Sequence, residues 1–115
     1  MNFEAKYCLS SREKKALFKF KEELLRKFGK DLFALKLFGS KARGDARKGS
    51  DIDILVVLKR LTRKREDFIL DLTIELLLKY GVDISPHIFS QSKYFYYKKL
   101  PTVFMQILER EAIPL

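Results

Sequence analysis

The apolar and polar positions along the chain alternate with two different periods. From Ser10 to Phe28 the apolar residues Leu17, Phe20, Leu24 and Phe28 recur at spacings of three and four, the period of one helix face. Ser10 and Ser11 precede them as candidate N-caps, and Gly29 follows as a stop. Residues 32–38, LFALKLF, are short and apolar and read as a strand ending at Gly39. Residues 41–49 hold two glycines and four bases, which predicts a short helical turn and then a loop. Residues 51–58, DIDILVVL, read as a second strand. Ile52, Ile54 and Val56 point one way, and Asp51, Asp53, Leu55 and Val57 the other.

Residues 61–80 predict a second long helix, capped by Thr62, carrying Phe68, Ile69, Leu72, Leu76 and Leu77 at helical spacing and stopped by Gly81. Residues 82–89, VDISPHIF, read as a third strand. Pro86 donates no hydrogen bond, so this strand lies at an edge or ends its ladder there. SKYFYYKKL and TVFMQILERE read as one or two final helices, with Pro101 at a helix start. The order α-β-(α)-β-α-β-α, with no repeat and no linker, predicts one α/β (α+β) domain over residues 1–115.

Composition narrows the class. At 47% hydrophobic and 34% charged the chain suits an ordinary globular core. No stretch approaches the roughly 18 apolar residues of a membrane span. The N-terminus lacks the apolar segment of a secretory signal, and Cys8 has no second cysteine to pair with, so a reducing cytoplasm is the expectation. A cysteine metal site is excluded. The net charge of +9 favours an acidic partner: a nucleotide phosphate, a nucleic acid or an acidic protein surface.

The chemistry concentrates in residues 37–58, LFGSKARGDARKGSDIDILVVL. Residues two apart on a strand share a face, so Asp51 and Asp53 project together and repel. Water, protonation of one carboxyl or a divalent metal relieves this. Mg²⁺ suits hard oxygen ligands of this kind, completed by substrate phosphates. Asp83, at the start of the third strand, is the candidate third carboxylate; Asp67 and Asp71 read as solvated helix surface. Opposite them, Gly39-Ser40 opens a helical turn whose N–H groups and hydroxyl suit phosphate oxygens. Lys41 and Arg43 are placed to neutralise further phosphate charge. Each short motif alone is commonplace; together, between two apolar strands, they point to a site.

These residues closely resemble the signature of the nucleotidyltransferase superfamily that includes DNA polymerase β, G-S-x10-D-x-[DE]. Gly39-Ser40, ten residues, then Asp51-Ile52-Asp53 meet it. The fuller GSKARGDARKGSDIDILV resembles the minimal nucleotidyltransferases, MNT proteins, often encoded beside HEPN-domain partners. The VDI strand and the closing ILEREAIPL extend the likeness over nearly the whole chain; Glu111-Ala112 departs from the Glu-Gly common at that end. The resemblance implies a polymerase β-like fold, a small mixed sheet of about three strands flanked by helices. It implies that Gly39 and Ser40 hold a nucleoside triphosphate, that Asp51 and Asp53 ligate one or two Mg²⁺ ions, and that Asp83 is a third ligand or the base. It further implies transfer of AMP from ATP to a hydroxyl, a tyrosine of a HEPN ribonuclease toxin, with this chain as the antitoxin. Two other readings stay open: an antitoxin that neutralises by binding alone, and transfer to a small molecule or an RNA end. With 115 residues there is no room for an acceptor-binding domain, which argues for a protein partner.

Other features carry two readings each. Residues 59–67 place five bases within seven residues, as a solvated loop and first turn or as a docking surface for an acidic partner or nucleic acid. Tyr94, Phe95, Tyr96 and Tyr97 stack bases or pack on a core. His87 shares a strand face with Ser85 and Asp83, near the site or as ordinary polar packing.

Overall fold

The computed structural model describes residues 9–44 and 50–115. Cys8 therefore lies outside the described residues.

Ser10 starts α1 (Ser11–Phe28) with a capping box: its Oγ accepts from the Glu13 N–H at 3.1 Å, and its own N–H donates to Glu13 Oε1 at 2.9 Å. A single 3-10 turn, Gly29–Asp31, leads into β1 (Leu32–Phe38). The helical turn expected after Gly39 is α2 (Ser40–Arg43), followed across the sheet by β2 (Ile52–Leu58). Thr62 caps α3 (Arg63–Tyr80), and Gly81, at φ +68°, ends it. β3 (Ile84–Ser90) runs straight into α4 (Gln91–Lys98). Pro101 lies one residue before the cap of α5 (Val103–Glu111) rather than inside it, because the Thr102 hydroxyl takes the capping role and accepts from Met105 N–H at 3.2 Å.

The sheet is mixed, with strand order β3-β2-β1 and then β4 (Ile113–Pro114). β1 is antiparallel to β2 and to β4, and β3 is parallel to β2. β3 is an edge strand, so Pro86 interrupts no ladder on its outer side. The fourth strand corrects the expectation of about three. Its two residues are too short for any alternation to show, and the pairing is closed by Leu115 N–H donating to Leu35 O at 2.9 Å.

β2 is buried on both faces, as its unbroken apolar run requires. Ile52, Ile54, Val56 and Leu58 pack with Leu17, Phe20 and Leu24 of α1 and Ile69, Leu72 and Leu76 of α3. Leu55 and Val57 pack on the other face with Phe38, Tyr94 of α4, and Met105 and Leu108 of α5. A fully buried side chain of this size contributes about 1.5–3 kcal/mol. Leu77, expected on the buried face, is 43% exposed; it lies about 100° around the helix from Leu76 and turns outward with Leu70, Ile74 and Leu78.

Arg65 alone of the basic run is drawn into the structure, pairing with Asp31 at 2.9 Å and lying over the Phe28 ring. Lys59, Arg60, Arg63 and Lys64 are exposed. The aromatics of α4 mainly pack: Tyr94 is buried, Phe95 meets Phe33, and Tyr97 meets Phe89.

Candidate active site

Because β1 and β2 run antiparallel and β3 runs with β2, the end of β1 and the starts of β2 and β3 fall at one end of the sheet. That end carries Gly39-Ser40, Asp51, Asp53 and Asp83.

Phe38 is the register partner of Asp53, which sets the turn after β1 directly against that carboxylate. Gly39 adopts φ +77°, and a Cβ built there would lie 2.5 Å from Asp53 Oδ2. Both the backbone conformation and the space therefore require glycine. Its carbonyl accepts from the N–H groups of Ala42 and Arg43, at 3.1 and 3.0 Å, which starts α2. The start of such a turn leaves the Ser40 and Lys41 N–H groups without intrahelical acceptors, beside the Ser40 hydroxyl.

Asp83 precedes β3. Its carbonyl accepts from Ile52 N–H at 2.9 Å, which seats it beside Asp51. Burial pushes the Asp83 carboxyl above its usual value, and the charge of Asp51 and a hydrogen bond with it push in the same direction. Asp53 turns elsewhere. Its Oδ1 lies 3.3 Å from His87 Nε2, and since an ionised carboxylate only accepts, that ring nitrogen is the donor. The imidazole is held edge-on against Phe38, centroids 4.9 Å apart, and stacked on Phe104 at 5.7 Å. Of its two readings, His87 takes the one at the site. Its signal was the period-two spacing Asp83-x-Ser85-x-His87, which puts all three on the face shared by Asp53.

Among the described residues, no three carboxylate, histidine or cysteine side chains close on one point as a ready-made metal cage. The donor set fits Mg²⁺ in a different form: hard oxygens, two of them on the adjoining carboxyls of Asp51 and Asp83, at the end of the sheet where the Ser40 turn presents N–H donors. Mg²⁺ is commonly held by one or two carboxylates and completed by substrate phosphates and water.

The two bases beside Ser40 part ways. Lys41, expected to face phosphate, is 4% exposed and pairs with Glu13 Oε2 of α1 at 2.7 Å. The ion pair with Glu13 holds the Lys41 ammonium against α1, so it anchors the turn. Burial pushes the Glu13 carboxyl up, but the Lys41 hydrogen bond, the Ser10 hydrogen bonds and the Lys41 charge outweigh this and hold it below its usual value. Arg43 stays at the surface, with Nη1 2.9 Å from Glu111 Oε2 at the end of α5. Glu13 and Glu111 thus support the turn from two helices. Glu13 stands at the capping-box spacing from Ser10, but nothing local in the sequence marks it as a partner for Lys41, and nothing local marks Glu111.

Known proteins are similar to this chain. A protein of Methanocaldococcus jannaschii named "Putative protein adenylyltransferase" is 43% identical over 70 residues, 58% of this chain and 48% of that protein. The chain thus spans about half the length of that relative. A solved structure named "Structure of putative minimal nucleotidyltransferase" superposes with a TM-score of 0.52 at 27% identity, over 88% of this chain and 94% of its own. A second, "Crystal structure of the toxin-antitoxin with AMP-PNP", shares the fold with a TM-score of 0.53 at 23% identity, over 84% of this chain and 69% of its own. The model of the nucleotidyltransferase domain matches residues 17–111, from α1 through α5, and the chain belongs to that family.

Proposed function

We propose that this chain transfers AMP from ATP to a hydroxyl of a partner protein, a tyrosine of a HEPN-type toxin, and so acts as its antitoxin. The observation that carries the transfer reaction is the meeting of the Gly39-Ser40 turn with Asp53, beside the paired Asp51 and Asp83. The relative named for protein adenylylation and the fold shared with a toxin–antitoxin complex support the acceptor and the partner.

In this reading the Ser40 hydroxyl and the N–H groups of α2 hold the triphosphate, with Arg43 adding charge at the rim. Asp51, Asp53 and Asp83 would hold Mg²⁺. The bound ion supplies neutralisation of phosphate charge and alignment of the reacting oxygens. The acceptor oxygen forms a bond to the α-phosphorus, the bond to the bridging oxygen breaks, and pyrophosphate leaves. Asp83, seated beside Asp51 at the start of β3, is either the third of these ligands or the base that takes the proton of the acceptor hydroxyl. His87 keeps Asp53 turned toward the Gly39 turn.

The test is incubation with labelled ATP, Mg²⁺ and the protein encoded beside this chain. Label and the mass of one AMP on that protein, both lost in Asp51→Ala/Asp53→Ala, are expected. If the double variant still neutralises a toxin of unchanged mass, transfer is not how the chain acts. If RNA is labelled and protein never is, the acceptor is wrong.

A further inference from the structure

On the face covered by helices, α1 and the end of α3 form two adjoining grooves of about 500 and 640 Å³ that share Lys15 and Tyr80. Arg12, Lys14, Lys15 and Lys79 line them. Among the described residues, none of these four cations has a carboxylate partner. Their neighbours differ: Lys19, one turn along α1, is paired with Glu22 and Glu23, and Lys41 is paired with Glu13. Glu22 borders the far end of the first groove and is engaged there by Lys19 and Arg26. Four unneutralised charges in one concave strip create a local positive field beyond that of the net charge.

Two aromatic side chains lie among these cations. Phe18 is 57% exposed in the middle of α1, where exposure would favour a polar residue, and Tyr80, half-buried against the core, closes the groove from α3 with the Lys79 ammonium 5.4 Å from its ring centre. Cations that follow a backbone, with an exposed ring face among them, are features that hold single-stranded nucleic acid; a stretch of acidic peptide needs the charges but not the ring. The groove also has a direction. The Arg12 guanidinium lies along the Gly81 backbone, 3.6 Å from where a Cβ would stand, and Gly81 is two residues from Asp83. We propose that the groove formed by Arg12, Lys14, Lys15, Lys79, Phe18 and Tyr80 is a docking site for single-stranded RNA, running toward the catalytic carboxylates. It is independent of the nature of the acceptor: a strand bound here engages α1 and α3 whether or not it is ever modified.

Binding of a fluorescein-labelled 16-nucleotide RNA of mixed sequence to the full chain, without ATP, tests this by anisotropy across a salt series. The Lys15→Ala/Lys79→Ala variant should bind about tenfold more weakly, with the salt slope reduced by about 1.4, since each phosphate contact on a single strand contributes about 0.7. Phe18→Ala, at an exposed position, should also weaken binding about tenfold while leaving the slope unchanged, as loss of one stacked base predicts. Poly-glutamate of equal charge should compete at least tenfold less well than unlabelled RNA. Unchanged affinity in the lysine variant, unchanged affinity in Phe18→Ala, or equal competition by poly-glutamate overturns the proposal. Asp51→Ala/Asp53→Ala protein should bind as wild type does, so failure of the transfer reaction leaves this measurement intact.

Discussion

At the scale of single residues, the three aspartates have different surroundings. Asp51 and Asp83 press on one another, while Asp53 is oriented by His87 and hemmed in by Gly39. A carboxyl whose value is raised by folding stabilises the fold fully at pH below its unfolded value and loses that contribution as pH rises through the folded one. Metal-free protein should therefore lose melting temperature as pH rises from about 4, where an aspartate ordinarily ionises. Asp83→Asn should remove that decline, raise the melting temperature of metal-free protein at pH 7 and abolish transfer. An Asp83→Asn melting profile that follows wild type across pH would refute the pairing. His87→Phe suits the aromatic slot between Phe38 and Phe104 but cannot hydrogen-bond Asp53. Loss of such an orienting partner typically costs 10–100-fold in metal affinity or activity, so the Mg²⁺ concentration for half-maximal activity should rise about tenfold with little change in melting temperature. An unchanged Mg²⁺ dependence would make His87 mere packing.

At the scale of elements, α2 is a four-residue turn that could not hold a conformation alone. It is pinned by the Lys41–Glu13 pair, and Glu13 also caps α1, so one carboxylate ties the Ser40 turn to the first long helix. Breaking a buried pair from one side strands the other charge. Glu13→Ala should cost about 3 kcal/mol in chemical denaturation and lower activity by letting the Ser40 turn move. The Glu13 carboxyl, held low, stabilises above its ordinary value and loses that contribution as pH falls through the folded one. Glu13→Gln, which can keep the cap, should flatten the acid limb of the stability curve below pH 4.5, the ordinary value for a glutamate. A cost under about 1 kcal/mol for Glu13→Ala would mean that Lys41 finds water instead. The helices and the first three strands were legible in the chain because their cues are local: period, cap and stop residues lie within one element. β4 was not, because a two-residue strand exists only through its partner Leu37 and the bond that follows it.

At the scale of the molecule, the site is assembled from both ends of the chain. α1 supports it through Glu13 and α5 through Glu111, whose pair with Arg43 spans 68 positions of sequence. Glu111→Gln removes the charge that holds the Arg43 guanidinium at the rim; it should raise the KM for nucleotide several-fold, with a stability change below about 1 kcal/mol, as for a surface pair. An unchanged KM would place Arg43 away from the phosphates. The inventory of the site, Gly39-Ser40 and Asp51-Ile52-Asp53 on adjoining elements with Asp83 beyond them, was readable from the residues because alternation on a strand sets which side chains share a face. The partners of that inventory were not. Lys41 looked like a phosphate ligand and proved to be a buried anchor, and His87, which read more as ordinary packing than as part of the site, contacts Asp53. Helix and strand periods, caps and the spacing of the motif follow from backbone geometry over a few residues, so the sequence by itself determined them. Which carboxylate faces which neighbour depends on the register between strands far apart in the chain, Asp53 with Ser85 and Leu55 with His87, and on which side of α2 faces α1. Only packing around the shared sheet sets those, and only the tertiary structure decided them.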